Sequence, residues 1–291
     1  MRLDFASALL FSVSSLSVVA CSPTGNVGAG TPDMNGGFVT TDPLILARPY
    51  EGRAPAGYDG SKALPLIVSL HGYQGTPFLQ DAFFGLGAVE NDKQFLYAMP
   101  AATKDKGGSF RWAVDGNPAG IDDVAYLDAV IRDMSARYRV DPKRVYMTGH
   151  SNGSAMTFRY ACDRAGTVAA VVPVSGTYST DPTVCNPSMP VAVLHVIGDQ
   201  DPAYPGNPTS QAHVAYWATR DGCNPMPDTS SPPLDLDTSI PGDETAVTRY
   251  KDCAGGAAEF WLIQGAPHVP HFGQPKFPDS IIDWMYAHAR N

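Results

Sequence analysis

Apolar positions along this chain follow two periods. Runs of consecutive apolar residues occur at 64–70, 95–100, 169–175 and 191–197, and an apolar stretch also leads into 149. Such runs mark strands buried on both faces, because a strand with one wet face would alternate apolar and polar residues. Between them the period lengthens. Val124, Leu127, Val130, Ile131 and Met134 fall on one helical face within 122–138. Met156, Phe158 and Tyr160 follow 151, 211–220 reads as a helix, and 279–285 closes the chain as an amphipathic helix capped by Asp279 or Ser280. The segment 37–55 is expected to form an edge strand with turns, and 245–250 and 258–264 the last strands. Strands alternating with helices predict a doubly wound, mainly parallel sheet with helices on both faces, and no internal repeat interrupts the pattern.

Composition narrows what such a fold does. Of 291 residues, 44% are hydrophobic and 17% charged, enough apolar material for one large domain over 38–291. With 29 acidic and 20 basic residues the net charge is −9, a poor match for nucleic acid or an anionic membrane surface. The first twenty residues carry Arg2 and an apolar run from Phe5 to Val13, too short to span a bilayer, and read as an export signal. The signal ends in Val18-Val19-Ala20-Cys21-Ser22, a lipobox-like site that makes Cys21 the candidate lipidated residue. Residues 21–37, rich in Gly, Pro, Thr and Asn, read as a flexible tether, so membrane contact is expected through the lipid alone. The remaining cysteines, Cys162, Cys185, Cys223 and Cys253, suggest two disulfides in an exported chain. Nearest-neighbour pairing closes two modest loops. No Cys-x-x-Cys hook suggests a metal.

The chemistry concentrates at Val145-Tyr146-Met147-Thr148-Gly149-His150-Ser151-Asn152-Gly153-Ser154. A strand, a bend with two glycines and a helix would hold Ser151 strained, with its hydroxyl clear of the sheet. This is the nucleophile elbow of an α/β-hydrolase. Serine needs a general base, and the base an orienting carboxylate, in the chain order Ser, Asp or Glu, His. Asp199 and Asp201 share the loop after the 191–197 strand, and Asp201, beyond the turn, is favoured as the acid. His268 and His271 follow the 258–264 strand. His268, nearer the strand end, is favoured as the base, and His271 is a candidate pocket residue. His150, His195, His213 and His288 read as structural or surface residues, and Asp122 and Asp123 as capping groups for the 122–138 helix. After the 64–70 strand, His71-Gly72-Tyr73 offers the Tyr73 N–H as one oxyanion donor, with the Asn152 N–H as the other. Trp112, in the loop after the 95–100 strand, is a candidate substrate wall.

Asp123-Val124-x-Tyr126-Leu127, followed by Tyr138-x-Val140-Asp141-Pro142-x-Arg144-Val145-Tyr146-x-Thr148-Gly149-x-Ser151-Asn152-Gly153, resembles the polyhydroxybutyrate depolymerase and feruloyl-esterase group of α/β-hydrolases. The segments at His71, Gly198 to Asp201 and Gly265 to His268 are similar to that group's other landmarks. The resemblance implies Ser151, Asp201 and His268 as nucleophile, acid and base of a cofactor-free esterase acting on a small-molecule or polymeric ester. Pro267 and Pro270-His271 depart from the group's usual glycine and aromatic around the histidine. A serine peptidase of similar fold and a non-catalytic lipoprotein that binds a glycan or polyester are the competing classes.

Overall fold

The computed structural model describes residues 39–115, 120–204 and 209–290. The expected signal, Cys21 and the tether lie outside them. The chain begins with a short helix, α1 (Pro43–Ala47), an edge strand β1 (Glu51–Arg53) and the first central strand β2 (Leu64–Leu70). Helices α2 (Pro77–Phe84) and α3 (Leu86–Lys93) lead to β3 (Leu96–Met99) and a two-stranded hairpin, β4 (Thr103–Lys104) and β5 (Phe110–Arg111). Helix α4 (Asp123–Arg137), strand β6 (Val140–His150), helix α5 (Asn152–Asp163) and strands β7 (Ala170–Val174) and β8 (Ala192–Gly198) follow. The chain ends with α6 (Ser210–Arg220), β9 (Thr245–Tyr250), β10 (Ala257–Ile263) and α7 (Lys276–Tyr286).

Eight strands form one sheet in the order β1-β3-β2-β6-β7-β8-β10-β9, antiparallel at both edges and parallel within. Side chains of β2 alternate between two cores, as a pleated strand requires. Leu64, Leu66, Val68 and Leu70 pack with α4, α5 and α6, whereas Ile67 packs with α3 and α7 on the opposite face. The doubly wound sheet with helices on both faces is therefore present. From β2 the chain winds outward to β3, then returns to place β6 on the other side of β2. The loops after β2 and β6 consequently diverge at a switch point, where crevices form at the carboxyl ends of strands.

Several local expectations change. The 37–55 segment holds helix α1, started by Pro43 and by the Asp42 side chain accepting from Leu44 N–H, and only a three-residue strand. Helices α2 and α3 fill the crossover to β3, which carries no long amphipathic stripe. They share Gly85, whose φ of 70° ends one helix and begins the next. Helix α7 starts a turn early, at Lys276 after Pro275, so Asp279 sits inside its first turn and neither Asp279 nor Ser280 caps it. Asp122 caps α4 by accepting from Ala125 N–H at 3.0 Å. Asp123 does not cap. Fully buried, it meets Arg48 Nη1 at 2.6 Å and accepts from Ala113 N–H at 2.7 Å, tying α4 to the loop after β5. The cysteines pair as nearest neighbours, Cys162 with Cys185 and Cys223 with Cys253. No helix among the described residues is long and apolar enough to cross a membrane.

Four buried titratable groups make the stability of this fold depend on pH. Burial pushes His150 down to about 4, and His195 and His213 down to about 3, from an ordinary value of 6.5. The unfolded chain takes up protons that these folded imidazoles refuse, so their contribution is complete above pH 6.5 and lost as pH falls. Asp221 runs the other way. Burial pushes its carboxyl from 3.8 up to about 8, so its contribution is complete below 3.8 and lost as pH rises toward 8. Three histidines outweigh one aspartate below 6.5, and Asp221 acts alone above it. The urea midpoint should therefore rise to a maximum near pH 6.5 and decline toward 8, and Asp221→Asn should flatten that decline and steepen the rise between 3.8 and 6.5.

Candidate active site

Strand β6 ends at His150, helix α5 begins at Asn152, and Ser151 bridges them with φ 56° and ψ −115°. That conformation is costly for a residue bearing a Cβ and persists only where neighbours impose it. Here they do. Ser151 N–H donates to the Val174 carbonyl at 2.9 Å, and the Ser151 carbonyl accepts from Ala155 N–H at 3.0 Å. Glycine is required on both sides for lack of room. A Cβ on Gly153 would lie 2.4 Å from the Leu70 carbonyl oxygen, and one on Gly149 would lie 2.6 Å from that of Gly153.

Two further loops converge on this bend. After β8, the Asp201 N–H closes a turn on the Gly198 carbonyl at 3.2 Å, and Asp201 Oδ1 accepts from Ala203 N–H at 2.8 Å. After β10, His268 projects its ring between the two other residues. Its Nε2 lies 2.9 Å from Ser151 Oγ and its Nδ1 2.9 Å from Asp201 Oδ2. The His268 side chain is 40% exposed and that of Asp201 wholly buried, so one end of the array is wet and the other dry. Burial would raise the Asp201 carboxyl, but hydrogen bonds from the His268 ring and from Ala203 N–H outweigh it and hold the carboxyl below its usual range. The two loops are bound to each other. Asp199 Oδ1 accepts from Gly265 N–H at 2.7 Å, and Gln200 N–H donates to the Ala266 carbonyl at 3.1 Å. Asp199 thus takes a backbone N–H from the neighbouring loop.

His150, read as a structural residue, and His71, the first residue of the oxyanion segment, act as struts. His150 Nε2 lies 2.8 Å from the His268 carbonyl oxygen. With its imidazole kept neutral by burial, that nitrogen carries the proton and donates it, fixing the backbone that carries the His268 ring. His71 does the same for the loop after β2. Its Nε2 accepts from Ala102 N–H at 3.0 Å, which leaves Nδ1 to donate to the Gly72 carbonyl at 2.8 Å. Gly75 N–H donates to that same oxygen at 3.0 Å. In a planar trans peptide the N–H opposes the C=O, so pinning the Gly72 oxygen also fixes the direction of the Tyr73 N–H. A Cβ on Gly72 would sit 3.5 Å from Ser151 Cβ, which sets this peptide against the bend. His71 is marked in the sequence by its landmark segment, whereas His150 has no signal beyond its adjacency to Ser151.

Trp112 is a correction. It is fully buried rather than lining a substrate wall, because the β4–β5 hairpin folds it inward against the His71 ring. Its indole N–H donates to the His71 carbonyl at 2.9 Å. Its backbone forms a closed pair with the Asn152 side chain, Trp112 N–H to Oδ1 at 2.7 Å and Nδ2 to the Trp112 carbonyl at 3.2 Å. Trp112 therefore braces the Asn152 end of α5. His271 is exposed, and its backbone is bound to the 237–238 loop, with His271 N–H donating to Asp237 Oδ2 at 2.9 Å. It is His268, not His271, that reaches Ser151. Among the described residues no group of three or more His, Cys, Asp or Glu side chains is placed to hold a metal ion.

Residues 53–214 match the family described as esterase PHB depolymerase. Feruloyl esterase D of Neurospora crassa is 26% identical over 279 residues, covering 92% of this chain and 90% of that protein. Poly(3-hydroxyalkanoate) depolymerase C of Paucimonas lemoignei is 28% identical over 175 residues, 59% of this chain and 38% of that one. Among solved structures, an acetyl xylan esterase from Aspergillus awamori superposes with a TM-score of 0.57 at 15% identity, over 82% of this chain and 95% of the other, a likeness of fold. With the family match running from the edge strand through α6, the chain belongs to the esterase PHB depolymerase family and is a carboxylic ester hydrolase.

Proposed function

We propose that Ser151 is the nucleophile, His268 the general base and Asp201 the orienting acid of this esterase. The observation that carries the reading is one imidazole held 2.9 Å from both the Ser151 hydroxyl and the Asp201 carboxylate. His268 Nδ1–H, donated to Asp201, leaves Nε2 free to accept the Ser151 proton as Oγ attacks the ester carbonyl. Backbone N–H groups of Tyr73 and Asn152 receive the developing oxyanion, each worth about 2.7–4 kcal/mol of barrier. The Asn152 N–H suits this role because the first N–H groups of α5 have no partner within the helix. Collapse of the tetrahedral intermediate expels the alcohol, which takes the proton from His268, and leaves an acyl-Ser151 ester. Water, deprotonated by the same imidazole, then attacks that ester and releases the acid.

The substrate class follows the relatives, whose names point to feruloyl, acetyl-xylan and hydroxyalkanoate esters. The two disulfides support export, since such bonds persist in oxidising compartments. A lipid anchor at Cys21 would then hold the enzyme at the cell envelope.

On p-nitrophenyl acetate, Ser151→Ala and His268→Ala should each lower kcat by about 10⁶-fold, and Asp201→Asn by about 10⁴-fold. Mass spectrometry after an irreversible serine-directed phosphonate should find the adduct on Ser151. Normal turnover by Ser151→Ala would end the reading. His71→Ala releases the Gly72–Tyr73 peptide without touching the triad. It should lower kcat on the order of tenfold to a hundredfold while changing KM less than about twofold, the signature of a contact made in the transition state.

A further inference from the structure

A cavity of about 900 Å³ opens beside the Ser151 bend and belongs to none of the features above except Asn152. Its floor is one face of α5. Asn152, Ala155, Arg159 and Asp163 line it at intervals of three or four residues, the spacing of a single helical stripe. At 1.5 Å per residue that stripe runs about 16 Å from the nucleophile end outward. Arg111 at the end of β5, with Val114 and Asp115 after it, forms one wall, and the loop after β7 the other, with Tyr178.

The groove is built and held. Arg159 donates from Nη1 to the carbonyls of Ala113 and Val114, and from Nε to Asp163 at 3.4 Å, fastening the first wall to the floor. The Cys162–Cys185 disulfide fastens the second, since Cys162 lies on α5 and Cys185 within the loop after β7. Tyr178 N–H donates to His213 Nε2 at 3.3 Å, which sets the position of that residue in the wall. The exposed Arg111 guanidinium, by contrast, has no ion-pair or hydrogen-bond partner assigned among the described residues.

Resting on the reading of Ser151 as nucleophile, we propose that this groove is the subsite for the alcohol part of the ester, and that this part is a hydroxyl-rich oligosaccharide. Five of the thirteen lining residues are charged and four more carry hydroxyls. A methyl-bearing polyester chain laid along it offers ester carbonyls to the guanidinium groups but no donor to Asp115, Asp163 or Asp181, so those carboxylates would lose water without replacement. Sugar hydroxyls donate and accept, so they replace that water group for group. Tyr178 adds a ring against which the C–H face of a sugar can lie. The groove starts at Asn152, the residue after Ser151, so a sugar chain lying along α5 would have one end next to the nucleophile.

The test uses Ser151→Ala, whose groove is intact, and titrates it calorimetrically with xylotetraose and separately with a linear 3-hydroxybutyrate tetramer. Xylotetraose should bind and the polyester tetramer should not. Adding Arg111→Ala or Tyr178→Ala to that protein should weaken the sugar about tenfold each, as expected for the loss of one or two hydrogen bonds. In the Ser151 enzyme, each substitution should lower the ratio of kcat/KM for acetylated xylotetraose to that for p-nitrophenyl acetate by about tenfold. Arg111 is exposed, so its variant does not depend on repacking a core. Failure of xylotetraose to bind, affinity unmoved by either substitution, or tighter binding of the hydroxybutyrate tetramer would each overturn the proposal. The two readings separate cleanly. Hydrolysis of p-nitrophenyl acetate without sugar binding sinks the groove alone, whereas sugar binding by a wild-type protein inert on every ester sinks the catalytic reading.

Discussion

Backbone passes so close to backbone between the end of β2 and the start of α5 that no side chain fits at Gly153, where a Cβ would come within 2.4 Å of the Leu70 oxygen. The sheet and the helix can meet this tightly only if the residue between β6 and α5 takes up the whole change of direction. Ser151 does so at φ 56°, an arrangement that costs energy locally and is held by bonds from β7 and α5. The same close approach sets the loop after β2 beside the bend. Close packing here is what turns an ordinary strand–helix connection into a presented hydroxyl.

A presented hydroxyl is useful only if its partners stay still, and the molecule achieves this with neutral histidines. Burial keeps the imidazole of His150 uncharged, and burial lowers that of His71 as well. A neutral ring has one donor and one acceptor, so each makes a directional link rather than a diffuse charge contact. His71 orients the Gly72–Tyr73 peptide and His150 holds the backbone of His268. A protonated His150 would set a positive charge 4.9 Å, ring centre to ring centre, from the His268 imidazole, which in the proposed mechanism accepts a proton. Burial of the strut thus keeps that charge away from the proposed base. The link between fold and site is electrostatic as well as steric.

The sheet and the elbow were legible because their signals are local. Buried parallel strands such as 64–70 and 191–197 are continuous apolar runs, and a two-glycine bend around a serine needs no distant partner to be recognised. The order of Asp201 and His268 after Ser151 followed from topology, the choice of Asp201 over Asp199 from its place beyond the turn, and that of His268 over His271 from distance to a strand end. What stayed hidden depends on contacts far apart in sequence. Helix α3 buries only Leu86, Val89 and Glu90, too few positions to establish a period. Trp112 sits in a polar, glycine-rich stretch that reads as exposed, yet the hairpin turns it under His71, 41 residues earlier in the chain. Asp123 looked like a helix-start carboxylate because of its position, whereas its partner Arg48 is 75 residues away. His71 and His150 act on carbonyl oxygens, which no side-chain pattern encodes.

Helix α5 does two jobs that pull its sequence in different directions. Its inner side must be small and apolar to sit against the sheet, and Gly153, Ser154, Met156, Thr157, Phe158 and Ala161 are all buried there. Its outer stripe keeps Asn152, Arg159 and Asp163 in the floor of a cavity, where apolar residues would expose surface to no benefit. Because both faces belong to one rigid element, the start of the groove is fixed relative to Ser151 by the helix itself, not by a mobile loop. The walls are less constrained by the sheet and are tied to that same helix, through Arg159 on one side and Cys162 on the other. A change in either wall can therefore alter what binds while leaving the Ser151–His268–Asp201 distances alone. Divergence of substrate choice within one esterase scaffold needs just that separation: chemistry anchored in strand ends, and selectivity hung from the far side of the helix.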